Sequence, residues 1–275
     1  MIALEDNFED VLMKAATGLG LGKTVLAERA GVSVDIVEAL LRGEMEEAAL
    51  RAVAPVLRLD GEALIAMATV NGLPDALELG GLICLNTPFP LPGYMEMTVN
   101  SFLCCSADTG EAIAFDTGTN ADGLIKILEE RKLNLRALFL THTHRDHVAA
   151  YDSIRELLPE LVCYTPEGEP FKQALPVSHS DVFSWSRLQV EARSTPGHSS
   201  GGISYVVHGL DRPLCMVGDA LFCRSQGGVG QRHYKSALEV NRRQILSLPD
   251  ETILCPGHGP MTTVGWELRG NPFYA

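Results

Sequence analysis

The sequence predicts an α/β fold: a layered α/β domain preceded by a small all-α domain. Residues 1–78 are rich in Ala, Leu and Glu, with apolar positions at helical spacing. From Leu79 onward, short apolar runs of strand length alternate with helical stretches. Several of those runs stop abruptly in turns that carry His or Asp beside glycine. The change of character falls at Asn71–Glu78, where Asn-Gly and Leu-Pro precede Gly80-Gly81. The expected domains are therefore 1–78 and 79–275.

The first part should hold helices over Asn7–Thr17, Lys23–Ala30, Val34–Arg42 and Glu47–Leu57, with a further one over Gly61–Val70. Gly31 ends one helix and Ser33 is placed to cap the next. Leu26 to Ser33 resembles the turn of a phage-repressor-type helix-turn-helix. Charge argues against DNA as a partner: residues 1–80 hold six Lys/Arg and fourteen Asp/Glu, a net of −8. The helix that would read bases opens Val34-Asp35-Ile36-Val37-Glu38, which repels phosphate. Packing or self-association into a homo-oligomer is the expected role. Gly18 to Thr24 looks like a phosphate loop but has Thr17 where the motif needs glycine.

The whole chain has 275 residues, 46% of them apolar, and a net charge of −13. That excludes a generally basic nucleic-acid or anionic-membrane surface. No apolar run approaches the length of a membrane span. Met1 to Asp10 lacks a basic stretch followed by an apolar one, and the seven cysteines are scattered. These features lead us to expect a cytoplasmic protein with reduced thiols and no membrane partner.

In the second part, strands are expected over Leu82–Leu85, Met97–Cys105, Ala112–Phe115, Leu135–Leu140, Leu188–Arg193, Pro213–Val217 and Thr252–Cys255. Helices are expected over Ala121–Arg131, Val148–Leu157 and Ser236–Leu246. Thr87 to Tyr94 is an apolar, proline-rich loop.

The run Leu135–Leu140 ends in Thr141-His142-Thr143-His144-Arg145-Asp146-His147, where four of seven residues can ligate a metal. His142 and His144 share a side of an extended segment, and Asp146 and His147 reach a second point in space. Three later strand ends repeat the pattern: Thr195-Pro196-Gly197-His198, Gly218-Asp219 and Pro256-Gly257-His258.

His-x-His-x-Asp-His followed by His, Asp and His resembles the signature of the metallo-β-lactamase superfamily. The resemblance covers Leu79 to the C-terminus and implies an αββα metallo-β-lactamase sandwich. It further implies that His142, His144 and His198 hold one metal, that Asp146, His147 and His258 hold a second, and that Asp219 bridges them. It gives Asp116 the task of orienting a metal-binding histidine, beside an alternative as a cap for the helix near Ala121. It also places the Thr87–Tyr94 loop over the site. Gly218-Asp219-Ala220-Leu221-Phe222 is similar to the glyoxalase II and persulfide dioxygenase branches.

Nitrogen and oxygen ligands suit two divalent ions, zinc first, with iron or manganese as alternatives. Such a site implies hydrolysis of a small ester or thioester, with Asp146 holding the nucleophilic water and passing its proton to the leaving group. Tyr94, Arg224 and Tyr234 are candidate substrate contacts, with solvated or helix-start roles as the alternatives for the last two. A mononuclear iron persulfide dioxygenase using His142, His198 and Asp219 is the competing enzyme. A non-enzymatic DNA-binding sensor is the third reading.

Overall fold

The computed structural model describes residues 2–69, 77–90 and 95–275. Most of the expected linker, Val70 of the fifth predicted helix, and Tyr94 lie outside the described residues.

Five helices open the chain: α1 (Phe8–Leu19), α2 (Lys23–Ala30), α3 (Val34–Leu40), α4 (Glu47–Val56) and α5 (Gly61–Thr69). In α1, Phe8, Val11, Leu12 and Ala15 are buried, the i, i+3, i+4, i+7 stripe of a helix with one dry face. The Asn7 backbone N–H donates to the Asp10 carboxylate at 2.9 Å, and Gly20 ends the helix at φ 66°. As expected, Gly31 closes α2 in the left-handed region. The Ser33 hydroxyl caps α3 by accepting from the Ile36 N–H at 3.3 Å.

Two six-stranded sheets follow. The first contains β1 (Leu82–Pro88), β2 (Thr98–Cys105), β3 (Glu111–Phe115), β4 (Asn134–Phe139), β5 (Val162–Pro166) and β6 (Leu175–Val177), side by side in that order. Strands β1 to β3 pair antiparallel and β3 to β6 parallel. The second contains β7 (Val182–Trp185), β8 (Leu188–Ser194), β9 (Ile203–His208), β10 (Leu214–Gly218), β11 (Ile253–Pro256) and β12 (Thr262–Thr263). It is antiparallel except for β10 with β11. The remaining helices are α6 (Asp122–Arg131), α7 (Arg145–Val148), α8 (Tyr151–Leu157), α9 (Gln231–Gln244) and α10 (Val264–Gly270).

The period-two alternation of strand side chains fixes the layers. On β4, Ala137 and Phe139 enter the core between the sheets, while Leu138 points to the layer shared with Leu124 and Leu128 of α6 and Ile154 of α8. On β10, Leu214 and Met216 face the inter-sheet core, and Cys215 and Val217 face the opposite layer. That opposite layer joins α9 with the N-terminal helices: Leu12, Leu50 and Leu64 share one apolar cluster with Val206, Val217, Leu254 and Ala237. The result is the αββα sandwich, with an N-terminal helical region packed onto it. The apolar core runs across the boundary expected at residue 78.

Two helix expectations need correction. The helix expected over Val148–Leu157 is two, because α7 starts earlier and carries Asp146 and His147 in its single turn. The helix expected from Ser236 starts five residues sooner, after Gly230 in extended conformation. Strands β5, β6, β7 and β12 and helix α10 were not expected. They are short, and β6 and β7 are sheet edges of three and four residues, too brief for a period to show.

Candidate metal centre

All seven residues of the predicted ligand pattern converge on one pocket, each placed just past a strand end. His142, His144, Asp146 and His147 follow β4, His198 follows β8, Asp219 follows β10 and His258 follows β11. Three groups bring their ligating atoms within 4.8 Å of one another: His142 with His144 and His198, His142 with His147 and Asp219, and Asp146 with His147 and His258.

Asp219 sits at the junction. Its Oδ2 lies 3.3 Å from His198 Nε2, 3.5 Å from His258 Nε2 and 4.0 Å from His142 Nε2. Its Oδ1 lies 3.2 Å from His147 Nε2. Asp146 Oδ2 is 3.1 Å from His258 Nε2. His198 Nε2 and His144 Nδ1 are 2.9 Å apart.

The outer ring nitrogens are already committed. His147 Nδ1 donates to Asp116 Oδ2 at 2.8 Å, His258 Nδ1 to the Thr98 carbonyl at 2.7 Å and His198 Nδ1 to the Gly228 carbonyl at 3.2 Å. His142 Nδ1 is 3.0 Å from the Thr141 hydroxyl, which itself donates to Asp116 at 2.8 Å. These partners turn the Nε2 atoms of four histidines toward the centre. Among the described residues, His142 Nε2, His147 Nε2 and Asp219 Oδ1 are buried without a hydrogen-bond partner. Orphaned polar atoms of this kind are costly unless something else satisfies them, and a cation does. The donor set therefore fits a metal site.

Asp116 bonds His147 and does not cap α6, which starts without a side-chain cap. It accepts three bonds of 2.8 Å, from the Thr141 N–H, the Thr141 hydroxyl and His147. Glycine is needed at Gly257, where a Cβ would collide with Asp219 and the His147 ring, and at Gly218, whose φ is 50° beside Thr141.

Burial and charge compete at each group. Burial resists charging His147, but Asp219 and Asp116 outweigh it and its pKa rises to about 10. At His258, Asp219 and Asp146 likewise overcome burial and raise it to about 11. Burial and the neighbouring His147 push His142 well below the ordinary value. For Asp219, burial favours the neutral acid, yet His147 and His258 hold it well below the carboxylate range. The pocket thus keeps the Asp219 carboxylate ionised.

Sequence reasoning missed several supports. Asn100 on β2 donates from its amide to the carbonyls of Pro256 and Gly259, at 2.9 and 2.8 Å, holding the His258 loop. Glu169 accepts from the Thr143 N–H and hydroxyl and from the Gly201 N–H, tying the loops that carry His144 and His198. Glu5 lies 3.9 Å from His258 Nδ1.

Two of the expected substrate contacts are buried. Tyr234 is buried in the cluster shared by α9 and the N-terminal helices, with its ring against Gly18 of α1. Arg224 is 7% exposed, at φ 62°, with its guanidinium 4.7 Å from the centre of the Trp266 ring. Both serve packing. Tyr94 lies outside the described residues.

A sequence model of the Metallo-beta-lactamase superfamily matches residues 95–258. Hydroxyacylglutathione hydrolase GloC of Haemophilus influenzae is 31% identical over 198 residues, covering 60% of this chain and 88% of that protein. Probable metallo-hydrolase YqgX of Bacillus subtilis is 30% identical over 200 residues, covering 63% and 91%. The crystal structure of ETHE1 from Myxococcus xanthus superposes with a TM-score of 0.56 at 26% identity, covering 68% and 83%.

Proposed function

Since this chain belongs to the metallo-β-lactamase superfamily, we propose that it is a hydrolase whose binuclear metal site activates water to cleave an ester or thioester. The observation that carries this reading is Asp219, one carboxylate facing both the His142/His198 side and the His147/His258 side of a complete ligand set. His142, His144 and His198 would hold one ion, and Asp146, His147 and His258 the other. Zinc suits these ligands, and iron or manganese are the alternatives. Two such ions supply a water of lowered pKa and polarise the substrate carbonyl.

The chain's own residues do the rest. Asp146, on the rigid turn of α7, orients the attacking water and takes its proton. Water oxygen forms the new bond to the acyl carbon, the bond to sulfur or oxygen breaks, and Asp146 returns the proton to the leaving thiolate or alkoxide. Asp116 and Thr141 keep His147 and His142 aimed at the centre. Likeness to a hydroxyacylglutathione hydrolase favours a thioester.

A second reading is favoured by one geometric fact. His142, His198 and Asp219 form a two-histidine, one-carboxylate set that also suits a single iron in a persulfide dioxygenase. Among the described residues no helix is long and apolar enough to cross a membrane. For the N-terminal helices we propose a packing role over DNA binding, since Glu38 of α3 pairs with Lys23 and the region is strongly acidic.

Elemental analysis of protein purified without added metal separates the two enzymes. About two ions per chain, with thioester turnover, supports the hydrolase. About one iron per chain, with oxygen uptake on a persulfide and no thioesterase activity, overturns it. Within the hydrolase reading, His144→Ala should lower thioester hydrolysis at least about a hundredfold. The protein should stay folded, because His144 is exposed. Full activity in that variant sinks the two-metal assignment.

A further inference from the structure

We infer that residues 2–6 and the outer face of α1 wall the pocket for the substrate's leaving group, and that this pocket selects an uncharged or cationic leaving group over an anionic one. The inference deepens the hydrolase reading and rests on it.

Two cavities, of about 720 and 580 Å³, meet at Glu5 and Met97. Each is of the size that receives a small molecule. The larger runs between the first residues of the chain and Thr98, whose carbonyl holds His258. The smaller runs between α1 and Gly228, whose carbonyl holds His198. The trough therefore borders the carbonyls that hold a histidine of each metal set.

The N-terminal wall is pinned in place. Lys14 pairs with Asp6 and donates to the Gln226 carbonyl at 2.8 Å. Its ammonium also lies 4.9 Å from the centre of the Phe222 ring, and that ring is 5.7 Å from the His258 ring. Residues from the start of the chain are thus tied to the loop that follows Asp219.

The charge of the trough is one-sided. Glu5, Asp6, Asp10 and Glu96 line it, against Lys14 as the one cation among its lining residues, and Lys14 is committed to Asp6. Glu5 lines both cavities beside His258, where burial pushes its carboxyl up to about 7. Met13 and Met97 add apolar surface. Asp10 and Glu96, neither of them paired with Lys14, act over distances comparable to the screening length of about 8–10 Å, so an anionic tail meets repulsion in both cavities. A neutral tail loses nothing, and a cationic tail gains.

The test uses metal-loaded, full-length protein and one acyl group on three thiols: thiocholine, N-acetylcysteamine and 3-mercaptopropionate. Non-hydrolysable thioethers with the same three tails are titrated by calorimetry in parallel. The expected result is that kcat/KM for the cationic and neutral thioesters exceeds that for the anionic one by about tenfold or more, with thioether binding in the same order. Met13→Lys/Thr17→Lys places two cations on the exposed face of α1 that lines the trough, away from the buried stripe. It should shrink or reverse both preferences. Turnover without tail preference in the wild type, or a preference that the double variant leaves untouched, overturns the pocket assignment while leaving the hydrolase standing. Tail-selective thioether binding without turnover of any thioester supports the pocket and sinks the hydrolase.

Discussion

Replacing Asp116 by asparagine isolates the support of the metal site from its ligands. Asp116 stands at φ 56°, a left-handed conformation that Asp and Asn tolerate better than most residues, so Asp116→Asn leaves the backbone at ease. The carboxylate accepts three hydrogen bonds at 2.8 Å, two of them from Thr141 and one from His147. An asparagine oxygen placed at the Oδ2 position keeps the His147 and hydroxyl bonds. Its NH2 then faces the Thr141 N–H, leaving a buried donor against a donor. That mismatch should cost about 1–3 kcal/mol of metal-free stability. Loss of the negative charge behind His147 should weaken metal binding by about 10–100-fold, or about 1.4–2.7 kcal/mol. Asp116→Ala should lose at least as much, plus about 1 kcal/mol for alanine in the left-handed region. Metal affinity is read by competition with a chromogenic chelator, and stability by urea denaturation of the metal-free proteins. Zinc binding by Asp116→Asn within twofold of wild type would refute the claim that Asp116 tunes the site.

Two other perturbations test the frame around the centre. Asn100→Ala removes the donor to the Pro256 and Gly259 carbonyls and should destabilise the chain by about 2 kcal/mol in urea denaturation, with weaker metal binding because the His258 loop loosens; an unchanged midpoint would show that the loop needs no such anchor. Glu267, buried with its carboxylate accepting from Thr262, Asn271 and the Arg224 N–H, is pushed up to about 7 by burial. A native pKa above the unfolded 4.5 means that the native state holds the proton more tightly, so this group's contribution is fully present below pH 4.5 and is lost as pH rises to 7. Relative to Glu267→Gln, the wild type should lose up to about 3 kcal/mol between pH 4.5 and 8; a pH-independent difference between the two proteins would contradict that assignment.

The ligand loop was legible because its signal is local. His142 to His147 occupy one strand end, and neither spacing nor residue type depends on the rest of the chain to be read. The layers were legible for the same reason, since alternation on β4 and β10 is a property of each strand. What escaped was contact between distant segments. Asn100 reaches residues more than 150 positions away, and Glu5 reaches His258 from the opposite end of the chain. Nothing in the sequence around either residue marks the partner. Arg224 and Tyr234 differ in the opposite sense: nearness to Asp219 in sequence suggested nearness to substrate, and both side chains are buried. The side of α9 that Tyr234 occupies is set instead by Gly18 of α1, a residue in the other predicted domain. The early start of α9 was hidden because Gln231, Arg232 and His233 are its exposed side and read as loop.

The placement of the ligands couples the centre to the fold as a whole. Four of them follow β4 in the first sheet, and His198, Asp219 and His258 follow strands of the second. A bound ion therefore draws ligands from both sheets and cross-links them over the core of Phe115, Phe139, Tyr205 and Met216. Any state in which the sheets part loses the site outright, so metal binding stabilises only the docked sandwich. At a free metal concentration a hundred times Kd this adds about 2.7 kcal/mol to the unfolding free energy. The converse also holds. A core substitution far from the ligands weakens metal binding only as far as it populates the undocked state, whereas a change at Asp116 or Asn100 acts on the docked state itself. Metal affinity measured alongside metal-free stability therefore separates residues that hold the sheets together from residues that aim the ligands.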